Sequence, residues 1–397
     1  MSVQMRTRLV TTIAAICVFI AYCAVALTQV AASPPSTSAE IQLHRYLERA
    51  VEAMHRDDDL AAAAALRQAL KIDPQSLAAL NNLAIVLGRM GKLSEAVSVY
   101  EEALKFHPDD PATKRNLAVA YFKAQHYRSA LVLLRPMAVA NPGDFQVLEL
   151  AGLCEFALDH YPEAARYLEQ ANQADSTDIE TLYILGRAYL RMKDYKALTN
   201  VFERIMKIDP NSAAAHVMMA TAYDEMQNRE DAIKEYQAAE NADPDFMGVH
   251  SGLGYLYWRQ GENDLAEKEA RAELQHFPND PLANFILGEV LLNNSKPAEA
   301  ESSFHAALKA NSRYKEALFG LGKAEIALNH PEAAVEALRK AIQIDPNYAE
   351  AHFVLGTALR QMGRIAEGKR EQQISVDLQE KQREAAIKKN ESLGAPK

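Results

Sequence analysis

From Leu43 onward, apolar residues fall at helical intervals and then begin again on a step of 34 residues. Pro74, Pro108, Pro142, Pro210, Pro244, Pro278 and Pro346 share one grid of that step, and Ser176 and Ser312 fill its two other points. Setting the proline at position 32 makes units begin at Leu43, Leu77, Pro111, Phe145, Ile179, Ala213, Met247, Pro281, Lys315 and Ala349. Apolar side chains recur at positions 4, 7, 11, 24 and 28, as in Leu80, Leu83, Leu87, Tyr100 and Leu104, so each unit predicts two helices with one apolar stripe apiece. Position 15 holds turn residues in Gly91, Asp159, Gly261, Asn329 and Gly363, and Pro162, Pro297 and Pro331 stand where second helices would begin.

Two further columns carry the packing. Position 8 is small throughout: Ala50, Ala84, Ala118, Gly152, Gly186, Ala220, Gly254, Gly288, Gly322 and Gly356. Position 20 is alanine in Ala62, Ala96, Ala130, Ala164, Ala232, Ala266, Ala300 and Ala334. Small residues there let two helix backbones approach, and a large side chain would overpack the contact by roughly 1–3 kcal/mol. A lone pair of helices cannot bury its stripe, so the pairs must stack. The run from Leu77 to Asp110 resembles the tetratricopeptide repeat nearly throughout, and the likeness extends from Leu43 to about Glu380. The resemblance implies an all-α, right-handed superhelical solenoid of helix-turn-helix repeats whose first helices line a concave groove.

Residues 1–32 read as a signal peptide or signal anchor: Arg6 and Arg8, an uncharged stretch from Leu9 to Val30, then Val30-Ala31-Ala32. Cleavage after Ala32 and retention as an anchor stay open, since the stretch approaches the ~20 residues that span a bilayer. Either way the expectation is an exported chain of bacterial type, periplasmic or secreted, or anchored in the inner membrane and facing the periplasm. Membrane contact is expected only through that segment if it is uncleaved. Residues 33–42 form a linker and helix start in which Thr37 and Glu40 have capping-box spacing. Nine units fill 43–348, a degenerate tenth fills 349–382 with Gly368 in the alanine column, and 383–397 is a polar tail.

A net charge of −10 gives no field toward phosphate backbones, so nucleic acid is not an expected partner. Charge is uneven: residues 111–144 carry five bases and one acid, residues 213–246 two bases and eight acids. Cys17 and Cys23 lie in the N-terminal segment, which leaves Cys154 as a small apolar helix residue. No cofactor, metal site or enzyme activity is expected. His216, His250 and His352 share position 4, where the resemblance implies packing, and the pairs Gly252/Gly254 and Gly320/Gly322 fall inside first helices rather than after a strand.

The candidate partner site is the groove column, positions 2, 5, 9 and 12 under the resemblance. It offers Tyr183, Phe285, Phe319 and Phe353 at position 5, Tyr255 at position 9 and Trp258 at position 12, an apolar face for an amphipathic helix or extended segment. In the first half, Asn82 and Asn116 at position 6 have the character to hydrogen-bond an extended peptide backbone. The family's carboxylate-clamp residues are absent. The expected function is an exported scaffold that binds a protein or peptide in its groove and supports assembly of a cell-envelope or secreted complex. The alternative is a glycan-handling accessory in which Tyr183, Tyr255 and Trp258 stack on sugar rings.

Overall fold

The computed structural model describes residues 37–394. Twenty helices and no strand occur among them. The chain divides between Pro210 and Asn211 into two compact parts. The N-terminal part holds α1 (Ser38–His55), α2 (Asp59–Ile72), α3 (Leu77–Arg89), α4 (Leu93–Phe106), α5 (Pro111–Lys123), α6 (Tyr127–Ala140), α7 (Phe145–Ala157), α8 (Tyr161–Ala174), α9 (Ile179–Met192) and α10 (Tyr195–Ile208). The C-terminal part holds α11 (Ala213–Glu225), α12 (Arg229–Ala242), α13 (Val249–Gln260), α14 (Asn263–His276), α15 (Pro281–Asn293), α16 (Pro297–Ala310), α17 (Lys315–Ala327), α18 (Pro331–Ile344), α19 (Ala349–Gln361) and α20 (Ile365–Gly394). Odd-numbered helices are first helices of a unit and even-numbered ones second helices.

Punctuation explains why the boundaries repeat so faithfully. Position 34 supplies N-caps: Ser76, Asp110, Asp144, Asp178, Ser212 and Asp280 each accept the backbone N–H three residues on. Thr37 and Glu40 form the expected capping box at the start of α1. Position 15 adopts the left-handed conformation in every unit, by Gly91, Gly261 and Gly363 but also by Asp57, Gln125, Asp159, Lys193, Gln227, Ser295 and Asn329. Turn geometry therefore overrides residue preference at Gln125, Lys193 and Gln227, each costing on the order of 1 kcal/mol relative to glycine. The second helix of the last pair continues to Gly394, so the polar tail from 383 is helical across its described residues.

The core is built on position 24, where Leu66, Tyr100, Leu134, Leu168, Phe304 and Leu338 are fully buried. Leu168, Phe304 and Leu338 each face the glycine at position 8 of their own unit. A Cβ on Gly152 would lie 2.7 Å from Leu168, and one on Gly288 or Gly322 would lie 2.6 Å from Phe304 or Leu338. Tyr236 and Phe304, both at position 24, also meet position 6 of the following first helix. Gly252 and Gly320 leave no room for a Cβ because the rings of Tyr236 and Phe304 occupy it. Where position 24 shrinks to Ala270, position 6 of the next unit is Ile286, and both are fully buried in one cluster. Large-against-small pairing is thus conserved in volume and reversed in direction.

That reversal sets an expected outcome. Gly320→Ile alone should destabilise the C-terminal part by about 1–3 kcal/mol through overpacking, and Phe304→Ala alone by about 3–5 kcal/mol through a cavity. The double variant reproduces the Ala270/Ile286 arrangement and should cost at least about 1 kcal/mol less than the sum, read by chemical denaturation. Strict additivity would show that the two side chains do not share one space.

Candidate functional site

In the C-terminal part, first helices bring most of the predicted aromatics into two groups of neighbouring rings. Tyr255 and Trp258 on α13 have ring centroids 5.8 Å apart, and Trp258 meets Phe285 of α15 edge-on at 5.4 Å. Phe285 in turn lies 5.3 Å from Tyr314, the residue just before α17. Phe319 of α17 lies 5.1 Å from Tyr348, the residue just before α19. Tyr314 and Tyr348 occupy position 34, where other units place a capping Asp or Ser, so these two units exchange a cap for an aromatic wall.

Cations lie over three of these rings. Lys323 Nζ stands 5.0 Å over Phe319, Lys315 Nζ 5.2 Å over Tyr348, and the Arg259 guanidinium 5.4 Å over Tyr255. Each is held by a carboxylate: Lys323 by Glu289 at 2.8 Å, Lys315 by Asp345 at 2.6 Å, and Arg259 by Asp224 at 2.7 Å. Asp345 lies below the usual carboxylate range, first because Lys315 donates to it and then because the Asn347 backbone does.

Two of the predicted groove residues turn out to be core. Phe285 is only 4% exposed, enclosed by Trp258, Tyr314 and Phe304. Asn82 is 8% exposed because position 6 faces the preceding second helix, the same contact that Tyr236 and Phe304 fill opposite glycines. Neither side chain presents a surface to a peptide. Asn116 and Tyr183 are half-buried, as are Tyr255, Trp258 and Phe319, whereas Phe353 on α19 is 54% exposed. Asn81, beside Asn82, lies 2.9 Å from the Thr113 hydroxyl of the next unit.

The N-terminal part presents charge at the equivalent positions. Arg115 donates to Asp144 at 2.6 Å and to Gln146 at 3.1 Å. Arg187 sits 5.5 Å over Phe156, its pKa lowered by burial and by the neighbouring Arg191. Glu149 on α7 is pushed up to about 7, mainly by burial and further by Asp178 and Glu180.

Several functional-looking side chains escape the apolar-stripe reading because they break it. Position 11 is apolar in most units, yet α7 carries Glu155 and α17 carries Glu325 there, both buried. Each binds the histidine five residues on: Glu155 to His160 at 2.9 Å and Glu325 to His330 at 3.0 Å. Glu273 occupies the usually alanine position 27 of α14 and accepts the backbone N–H groups of Gly248 and Ser251 at 2.8 and 3.1 Å. It caps α13 from the side, where position 34 is Phe246 and offers no cap. An acid in an otherwise apolar column was the available signal. His216, His250 and His352 bridge their own helix pairs through Nδ1 to Glu235, Glu269 and Glu371, each at 2.7 Å. Cys154 is buried, and burial followed by Glu155 raises its thiol pKa.

Profiles described as tetratricopeptide repeat match residues 47–111, 217–281 and 285–349, and others of the same description match 89–154, 179–212 and 337–370. Among solved structures, the crystal structure of MamA is 22% identical, with TM-score 0.37 over 42% of this chain and 96% of that one. MamA from Desulfovibrio magneticus RS-1, residue 41 to the end, is 20% identical, with TM-score 0.41 over 43% and 97%. Yeast Tom70 is 15% identical, with TM-score 0.38 over 86% and 93%. No curated protein sequence matches the chain. At these values the likeness resides in the repeat, and no site or partner is transferred.

Glu149 generates a pH expectation. A carboxyl held at about 7 in the folded chain binds its proton more tightly than in the unfolded chain, so stability falls as pH rises from the ordinary carboxylate value through about 7. Glu149→Gln should therefore match the parent near pH 5 and exceed it by about 1–3 kcal/mol at pH 8, measured by denaturant titration at both values. Equal stability at pH 8 would show that the carboxylate is well solvated.

Proposed function

Because the chain belongs to the tetratricopeptide repeat family, we propose that it is a non-catalytic scaffold that captures a protein or peptide segment along the aromatic face of its C-terminal part. The observation that carries this reading is the set of half-buried or exposed first-helix rings Tyr255, Trp258, Phe319 and Phe353, with a cation over Tyr255 and over Phe319. Half-buried rings on rigid helices offer apolar contact at low entropic cost. Lysine and arginine heads already paired to carboxylates present both donors and acceptors to a peptide backbone. The step from fold to scaffold rests on what such surfaces bind, since one fold hosts many functions.

The reading includes export. Its support is the order of arginines, uncharged stretch and small residues in 1–32, which lie outside the described residues. Among the described residues no helix is long and apolar enough to cross a membrane. Assembly of an envelope or secreted complex is the setting that export and a peptide-binding face together suggest. The glycan reading is weaker, because Arg259 covers one face of Tyr255 and Phe285 closes on the indole of Trp258.

Crosslinking from a photoreactive residue placed at Phe353 in cells, followed by titration of the captured segment, tests the reading. Phe319→Ala and Phe353→Ala should each weaken binding about tenfold or more with unchanged helical circular dichroism. Phe285→Ala should instead lower stability by about 3–5 kcal/mol. Unchanged affinity in both exposed-face variants would reduce those rings to packing. Quenching of Trp258 by polysaccharide but not by peptide would favour the glycan reading.

A further inference from the structure

A set of metal-ligating side chains lies away from the aromatic face, where α16 meets α17. Glu301 and His305 stand one turn apart on α16, and Glu325 reaches them from α17. One ligand atom from each of the three lies within 4.8 Å of the others. Glu325 is buried, with the His330 imidazole 3.0 Å from its Oε2, while Glu301 is half-buried and His305 is exposed. His305 Nε2 and Glu301 Oε1 are 3.8 Å apart.

The repeat supplies its own control. The same four register positions in the N-terminal part, 21 and 25 of one unit and 11 and 16 of the next, hold Leu131, Arg135, Glu155 and His160. There the Arg135 guanidinium lies 2.8 Å from Glu155 and neutralises the buried carboxylate directly. In the C-terminal part arginine is replaced by His305 and leucine by Glu301, while the buried glutamate and its histidine are kept. The substitution removes a fixed positive charge, adds a second carboxylate and adds an imidazole. Among the described residues, Glu301 and Glu325 are paired with His305 and His330 and with no lysine or arginine.

We propose that Glu301, His305 and Glu325 form a binding site for a divalent transition-metal ion, zinc foremost, bridging α16 and α17. One imidazole and two carboxylates leave a charge of −2 when the histidine is neutral, which a dication balances. The N/O donor set suits zinc, with bonds of about 2.0–2.2 Å and a fourth place for water. Reaching those bonds requires the two α16 side chains to swing inward, and both extend from one helix face. His330 is a positioning residue: by donating Nδ1–H to Oε2 of Glu325 it fixes the carboxylate and leaves its other oxygen for the metal. The other triad of this kind, Glu240, His250 and Glu269, already has Lys268 Nζ 2.9 Å from Glu269 and needs no added cation.

Calorimetric titration of the full metal-free chain with Zn²⁺ alone tests the site. The expected result is uptake of one equivalent, weakened at least about tenfold by His305→Ala or Glu301→Gln and by about ten- to a hundredfold in His330→Ala. His250→Ala should leave it unchanged. The double variant Glu301→Leu/His305→Arg, which copies the N-terminal arrangement, should abolish uptake while retaining full helical signal. The proposal is overturned if the parent takes up no zinc at micromolar protein, if His305→Ala binds as the parent does, or if His250→Ala removes the uptake.

Discussion

The structure depends on one steric exchange: a large side chain at position 24 of a second helix fits a notch in its own first helix, and at Tyr236 and Phe304 a notch in the next first helix as well. Leu168 uses Gly152, Leu338 uses Gly322, and Phe304 uses both Gly288 and Gly320. Because Phe304 touches two first helices, it fixes its own hairpin and the stacking of the following hairpin together. Neither contact can be optimised alone. Volume is therefore shared along the chain, as the reversal at Ala270 and Ile286 shows.

This exchange was partly legible in the amino-acid order. Small residues at positions 8 and 20 gave away the close approach of two helices, and the grid of prolines located every helix pair. Five of the left-handed turns were marked by Gly, Asp or Asn, but Asp57, Gln125, Lys193, Gln227 and Ser295 adopt the same conformation without being singled out. In those turns the packing of two docked helices dictates the backbone, and the local preference is overruled. The glycines at position 6 stood out in the sequence only as pairs inside first helices, because their meaning lies in the preceding unit's Tyr236 or Phe304.

The candidate site was less legible for the same reason. A column read along one helix cannot say how far the neighbouring helix covers it. Phe285 and Asn82 were placed on a groove by register, yet Trp258 and Tyr314 close over the first and the preceding hairpin faces the second. Phe353, on the final first helix, stays open. Acids in apolar columns proved the more informative departures: Glu155 and Glu325 mark buried ionic clusters, and Glu273 completes the start of α13. Such residues violate the repeat, so a reading that rewards agreement with the repeat passes over them.

Glu273 shows what such a violation does to the architecture. Most first helices carry their N-terminal acceptor on the adjoining loop and are complete within their own segment. The α13 segment is not, because its first amide protons are received by a carboxylate that arrives with α14. Its initial turn is then completed by its companion, which couples the ordering of the two helices. Among the described residues α13 is thus a place where modularity gives way to mutual dependence within one pair.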